Sequence, residues 1–362
     1  MNDPLSGGAA GALAATCPWH WLPDPAAWFE SLIAPLVAWE PDPELALDVY
    51  PLRLTIAGAI DRRECWLRHP CLNPLTLQYR VRRRERDFQL AVWTAANSDR
   101  DLGTVTLRED THLWSANGGA GIPPGTYLLR ELGAQVRVAR PPVAIPLDVW
   151  CGSVGYPIED SWAAADTVSP EDEATMAREI VAYCRAIERI RRCLPDTLEW
   201  ISAATAVIVP MRNPGLDVVR SGSQATVPGL VWTDLCGGNS QILETVVHET
   251  AHNHLYTAEA EAPLVDPDHQ GRYASPLRPE PRPLRGIMLA CHALAYMTAA
   301  FVDGRRAGYF DCSFPESTFA DLVIRRDHAE RTLTENRRHL TGHGNRFLDR
   351  TLEVCAYARA AA

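Results

Sequence analysis

The chain has no C-x-x-C pair among its ten cysteines, no tract of repeated or low-complexity sequence, and no excess of basic charge. Each absence narrows the field. Without paired cysteine spacing, a zinc-ribbon cluster or a disulfide framework has no sequence support. Cys184, Cys193, Cys291 and Cys355 instead fall among apolar neighbours in predicted helices, as buried reduced thiols do. A formal net charge of −10 lacks the basic footprint of a general nucleic-acid binder. No uninterrupted apolar run of the roughly 18–20 residues needed to span a bilayer is evident, and the start of the chain, Met1-Asn2-Asp3-Pro4, has no basic region leading into an apolar one. These features predict a cytoplasmic protein with neither a nucleic-acid nor a membrane partner. At 362 residues the chain exceeds the usual single-domain size, so two domains are expected.

What is present centres on Val246-Val247-His248-Glu249-Thr250-Ala251-His252. Residues four apart share a helix face, so His248 and His252 can offer two imidazoles to one metal ion with Glu249 beside them. The flanks predict that helix. Gly237-Gly238-Asn239-Ser240 supplies a turn and an N-cap, Ile242, Leu243, Val246 and Val247 bury one side, and no proline interrupts Gln241 to Thr257.

Upstream, residues 1–15 are rich in Gly and Ala, and one helix is expected from Pro25 to Trp39. Leu75, Leu77, Tyr79 and Val81 alternate with polar residues, which predicts an antiparallel strand. A turn at Arg84–Asp87 should lead to a partner strand carrying Phe88, Leu90 and Val92. Short strands are also expected at Val105–Leu107, Tyr127–Leu129 and Val136–Val138, with turns at Gly118-Gly119 and Pro123-Pro124-Gly125. The fold class is therefore α+β: a β-rich N-terminal domain, residues 1–160, suited to peptide recognition, then a mainly helical metal-binding domain, residues 161–362. Arg80, Arg82, Arg83, Arg84 and Arg86 form a basic ribbon that can receive an acidic peptide.

In the second half, Ser169-Pro170 opens a helix running to about Cys193, with acids in its first turn and a basic end. Strands are expected at Ile201–Val209 and Ala225–Thr233. After the metal helix come a proline-rich connection, an apolar helix from Pro283 to Val302, and helices at Glu316–Leu340 and Gly344–Ala360.

A catalytic metal site needs a third protein ligand. His254, Glu259, Glu261, His269 and His292 are the candidates. His254 points to another side of the helix and the two glutamates sit at its end. His292, buried on the next apolar helix, has the best context.

The run from Tyr273-Ala274-Ser275-Pro276-Leu277-Arg278 through Pro281-Arg282-Pro283-Leu284-Arg285-Gly286 to His292 has a particular pattern. Together with Pro228-Gly229-Leu230-Val231 and Val247-His248-Glu249-Thr250-Ala251-His252, it resembles the H-E-x-x-H-type peptide β-hydroxylases that modify ribosomally made peptides. The resemblance covers roughly residues 200–300. It departs where the family often has His-Gly and this chain has His292-Ala293, and the N-terminal half does not align. It implies a zincin-like scaffold holding iron(II) through His248, His252 and His292, with 2-oxoglutarate and dioxygen as co-substrates and a precursor peptide as substrate. Arg278 and Arg282 then suit the far carboxylate of the keto acid. The rival from H-E-x-x-H alone is a zinc metallopeptidase with Glu249 as general base.

Overall fold

The computed structural model describes residues 17–21, 42–61, 83–98, 100–115, 118–136, 148–149, 170–205, 207–211, 220–225, 229–234, 237–310 and 314–361. The expected helix 25–39, the strand 75–81, and Arg80 and Arg82 lie outside these residues. Among the described residues of the first half the helices are α1 (Val49–Asp61), α2 (Arg83–Ala96) and α3 (Leu129–Val136). They accompany two small antiparallel sheets. One joins β1 (Ala46–Leu47), β2 (Thr104–Leu107) and β5 (Gly125–Leu128), and the other is the hairpin of β3 (Thr111–Ser115) and β4 (Gly118–Ile122).

The expectation of a mostly β first half is corrected here. Phe88, Leu90 and Val92 belong to helix α2, not to a strand. All of the residues from Asp87 to Ala96 are buried, and a helix buried all round carries apolar residues at every spacing, including the alternation that suggested a strand. Within the expected basic ribbon, Arg84 is corrected with it. Arg84 is buried and donates to Glu44 (3.1 Å) and Glu109 (2.8 Å), so its charge is spent inside the fold. Gly118-Gly119 is not a turn but the start of β4, while Val136 ends a helix.

The second half begins with α4 (Pro170–Cys193), as its proline start and basic end predict. Next is α5 (Pro195–Ala204), where a strand had been expected from Ile201. Pro195 at the first helical position and Asp196 in the first turn are ordinary helix-start signals, and Leu198, Trp200, Ile201 and Ala204 bury one side. A four-stranded sheet follows in the order β6 (Asp148–Val149), β7 (Val207–Met211), β9 (Leu230–Asp234), β8 (Ser221–Gly222). The first three are parallel and β8 is the antiparallel edge. Residues 148–149 thus pair with the sheet of the second half.

Four helices complete the chain: α6 (Asn239–Glu261), α7 (Leu284–Arg306), α8 (Glu316–Glu335) and α9 (Gly342–Ala361). Between α6 and α7 the connection forms one short pair, β10 (Arg272–Tyr273) with β11 (Arg282–Pro283). Helix α7 packs against α6, α8 and α9. By length and composition α7 is apolar enough to cross a membrane, which the reading of uninterrupted runs did not register, but 83% of its most apolar window is buried inside the protein. A helix apolar on every side is what a central core position selects. Cys184, Cys291 and Cys355 are buried free thiols and Cys193 is partly buried, as expected.

Candidate metal centre

Helix α6 is fixed in rotation by polar contacts on the side facing the sheet. The Asn253 side chain donates to the Leu230 carbonyl (3.3 Å) and accepts from the Gly229 amide (3.1 Å). Thr250 and Thr205 share a hydroxyl contact of 2.9 Å. Gly229 makes this approach in the left-handed region, φ 89°. Because these groups are buried, a turn of the helix about its axis would leave them unsatisfied, at a cost of about 1–3 kcal/mol each. The rotation they define sets where the imidazoles point.

His248 and His252 lie one turn apart with ring centroids 4.5 Å from each other. One donor atom each from His248, Glu249 and His252 falls within 4.8 Å of the others. Glu249 is buried, yet ionised. Burial pushes its carboxyl up, but the contact with His252 (Nδ1 to Oε2, 3.5 Å), the two histidines and the Ser223 hydroxyl outweigh this and hold it down at about 2. Both oxygens are occupied: Ser221 donates to Oε1 and Ser223 to Oε2, each at 2.7 Å. Burial, then the neighbouring His252, lowers His248 to about 4, so its imidazole is neutral at physiological pH and available as a ligand. Two imidazoles and a carboxylate on adjacent turns are a donor set that fits iron(II) or zinc.

His292 is not brought to this group. It is buried on α7 with Nδ1 3.0 Å from the Thr351 hydroxyl and Nε2 3.2 Å from Nδ1 of His254. Thr351 donates its own proton to the Phe347 carbonyl, so it accepts from His292 Nδ1–H, and His292 Nε2 accepts from His254. Both ring nitrogens are thereby used. The residue of α7 that meets the metal group is Met297, whose sulfur is 3.3 Å from His248 Nδ1. Five helical positions separate Met297 from His292, which puts them on different sides of α7. The sequence reading expected His292 at the group, and the structure places it on another side of α7, against Thr351 and His254. His269 and His254 also stay apart from the group. His269 stacks on His339 with centroids 3.9 Å apart, and His254 faces Trp21 and His292. Glu259 is paired with Arg285.

Arg278 and Arg282 are exposed, and neither is hydrogen-bonded to the metal group. Arg285, from the same segment, was overlooked. Its guanidinium binds Glu259 in a bidentate pair (2.6 and 2.5 Å) and stands over the ring of Tyr256. That ring lies 6.2 Å from His252. The signal that could have found it is spacing: Tyr256 follows His252 by four residues, on the same face of α6. Ser221 and Ser223 were also overlooked. Their alternation about Gly222 on an edge strand was the available sign.

No family model matches this sequence, and no curated protein matches it.

Proposed function

We propose that the chain is an iron(II)- and 2-oxoglutarate-dependent dioxygenase on a zincin-like scaffold, hydroxylating the β-carbon of a residue in a ribosomally made peptide. The resemblance over residues 200–300 motivates the reaction class, and the state of Glu249 is the observation that carries it against hydrolysis. A general base works best with a pKa near the working pH. A carboxylate whose two oxygens each accept a serine hydroxyl at 2.7 Å, and which is held below its usual range, is a weak acceptor for a proton from water. His248, Glu249 and His252 would hold the iron, with Glu249 replacing His292 as the third protein donor. When bound, the iron supplies activation of dioxygen coupled to oxidation of the keto acid, chemistry that the side chains lack. The chain's own residues hold the donors in place. Ser221 and Ser223 fix the carboxylate, and the Met297 sulfur packs against His248 Nδ1.

Reconstitution with iron(II) under anaerobic conditions, then exposure to dioxygen and 2-oxoglutarate, should give succinate and a peptide product heavier by one oxygen atom. Peptide cleavage that ignores 2-oxoglutarate and follows zinc instead would establish the metallopeptidase. Glu249→Gln separates the two by mechanism. In the oxygenase it should weaken iron binding by more than the roughly 10–100-fold typical of an outer partner, with turnover recovered at high iron because the amide oxygen remains a weaker donor. In the hydrolase the loss of the base should cost at least about a hundredfold at any metal load.

The keto acid needs a cation for its far carboxylate, and Arg278, Arg282 and Arg285 are the proposed set. Arg285 is the one joined to the metal helix, through Glu259 and Tyr256. Arg285→Ala is expected to raise the 2-oxoglutarate concentration for half-maximal succinate formation more than Arg278→Ala or Arg282→Ala does. The reverse order would move the anchor to the exposed loop.

A further inference from the structure

Away from the H-E-x-x-H group, a second set of metal-binding side chains comes together from parts of the chain about 180 residues apart. Cys17 precedes the short 3-10 turn Pro18–His20, and Asp196 lies in the first turn of α5. One donor atom each from Cys17, His20 and Asp196 lies within 4.8 Å of the others, and the Cys17 sulfur is 3.9 Å from Asp196 Oδ2. We propose that Cys17, His20 and Asp196 bind a zinc ion that clips the Cys17–Trp21 segment to the start of α5.

Three features point to zinc. Ligand atoms around tetrahedral zinc, bonded at about 2.0–2.3 Å, sit roughly 3.3–3.8 Å from one another, so these donors are close to the required separation. His20 and Asp196 are exposed and can close the remainder by side-chain rotation. The donor types are a thiolate, an imidazole and a carboxylate, a set containing soft sulfur that magnesium and calcium do not select. Charge also balances. On binding, the Cys17 thiol gives up one proton to solvent, and the thiolate and carboxylate together neutralise the dication. Without the ion the thiol stays protonated, because burial and the nearby Asp196 and Asp303 carboxylates push its pKa up.

The segment that would be clipped is already seated on both sides of this cluster. The Trp19 indole donates to Asp303 at 2.7 Å, and Trp21 packs edge-on against His254. Three protein ligands leave the fourth zinc position to water. The proposed role is structural, and it is independent of the reaction assigned to the H-E-x-x-H group.

Cobalt(II) distinguishes this site from the other, because only a cysteine ligand gives a thiolate-to-cobalt charge-transfer band and the His248–Glu249–His252 group contains none. The full chain titrated with cobalt(II) should show that band. In a His248→Ala/His252→Ala background one cobalt equivalent should remain, and added zinc should displace it. Cys17→Ser should abolish the band, Cys193→Ser should retain it, and His20→Ala should lose the retained equivalent. Far-ultraviolet circular dichroism checks that each variant is folded. Absence of the band in the unaltered chain at saturating cobalt, or its survival in Cys17→Ser, overturns the proposal.

Discussion

Replacing His252 by alanine is expected to abolish stoichiometric iron in the anaerobically reconstituted protein, and with it 2-oxoglutarate-dependent succinate formation. His248→Ala should do the same. Each removes one of the two imidazoles that the rotation of α6 aims at a single point, and the Glu249 carboxylate is left with one nitrogen partner. Loss of a direct ligand should exceed the roughly 10–100-fold typical of an outer partner. His292→Ala makes the contrast. Its nitrogens are committed to Thr351 and His254, so iron content should stay near that of the unaltered chain while stability falls. Metal analysis beside circular dichroism reads both effects. A folded His292→Ala protein without iron would restore His292 to the ligand set, and a folded His252→Ala protein with a full equivalent would remove the assignment altogether.

The second large effect concerns acid. Burial, then the neighbouring His254 and His252, holds His292 well below the usual imidazole range, so it is neutral in the folded chain. In the unfolded chain it titrates near 6.5. Below that pH the unfolded state binds the extra proton, so stability is fully present above about pH 6.5 and falls as pH drops. For one such histidine the loss from pH 7 to pH 5 is about 2 kcal/mol. His292→Gln keeps a hydrogen-bonding side chain but cannot titrate. Denaturant unfolding at pH 7 and pH 5 should therefore show a pH-dependent loss smaller by about 2 kcal/mol in the variant than in the unaltered chain. Equal losses would mean that His292 accepts a proton without unfolding.

Much of the second half was legible because its signals are local. The proline and acids that open α4, the apolar run of α7 and the H-E-x-x-H spacing on α6 each lie within a few turns of sequence. What was not legible depends on which face a helix turns toward its neighbours. Apolar residues surround His292 on every side of α7, so no periodicity separates the side facing His248 from the side facing His254. Arg84 was misplaced for a related reason. A run of arginines reads as solvated until Glu44 and Glu109 arrive from distant positions. The serines that hold Glu249 come from a two-residue strand and the residue after it, too short a stretch to leave a pattern of its own.

That short strand has a consequence for how the centre can be disturbed from a distance. Ser221 and Ser223 flank Gly222, and a Cβ at residue 222 would come within 2.6 Å of the Trp232 indole nitrogen. Residue 222 touches no proposed ligand. Yet a methyl group there must displace either the indole of β9 or the edge strand, and if the strand moves, both serines leave the carboxylate together. Gly222 is thus a remote adjustment point for the Glu249 carboxylate, and, on the proposed reading, for the electron richness of an ion held there. On the proposed iron chemistry, Gly222→Ala is expected to shift the redox potential of the reconstituted iron.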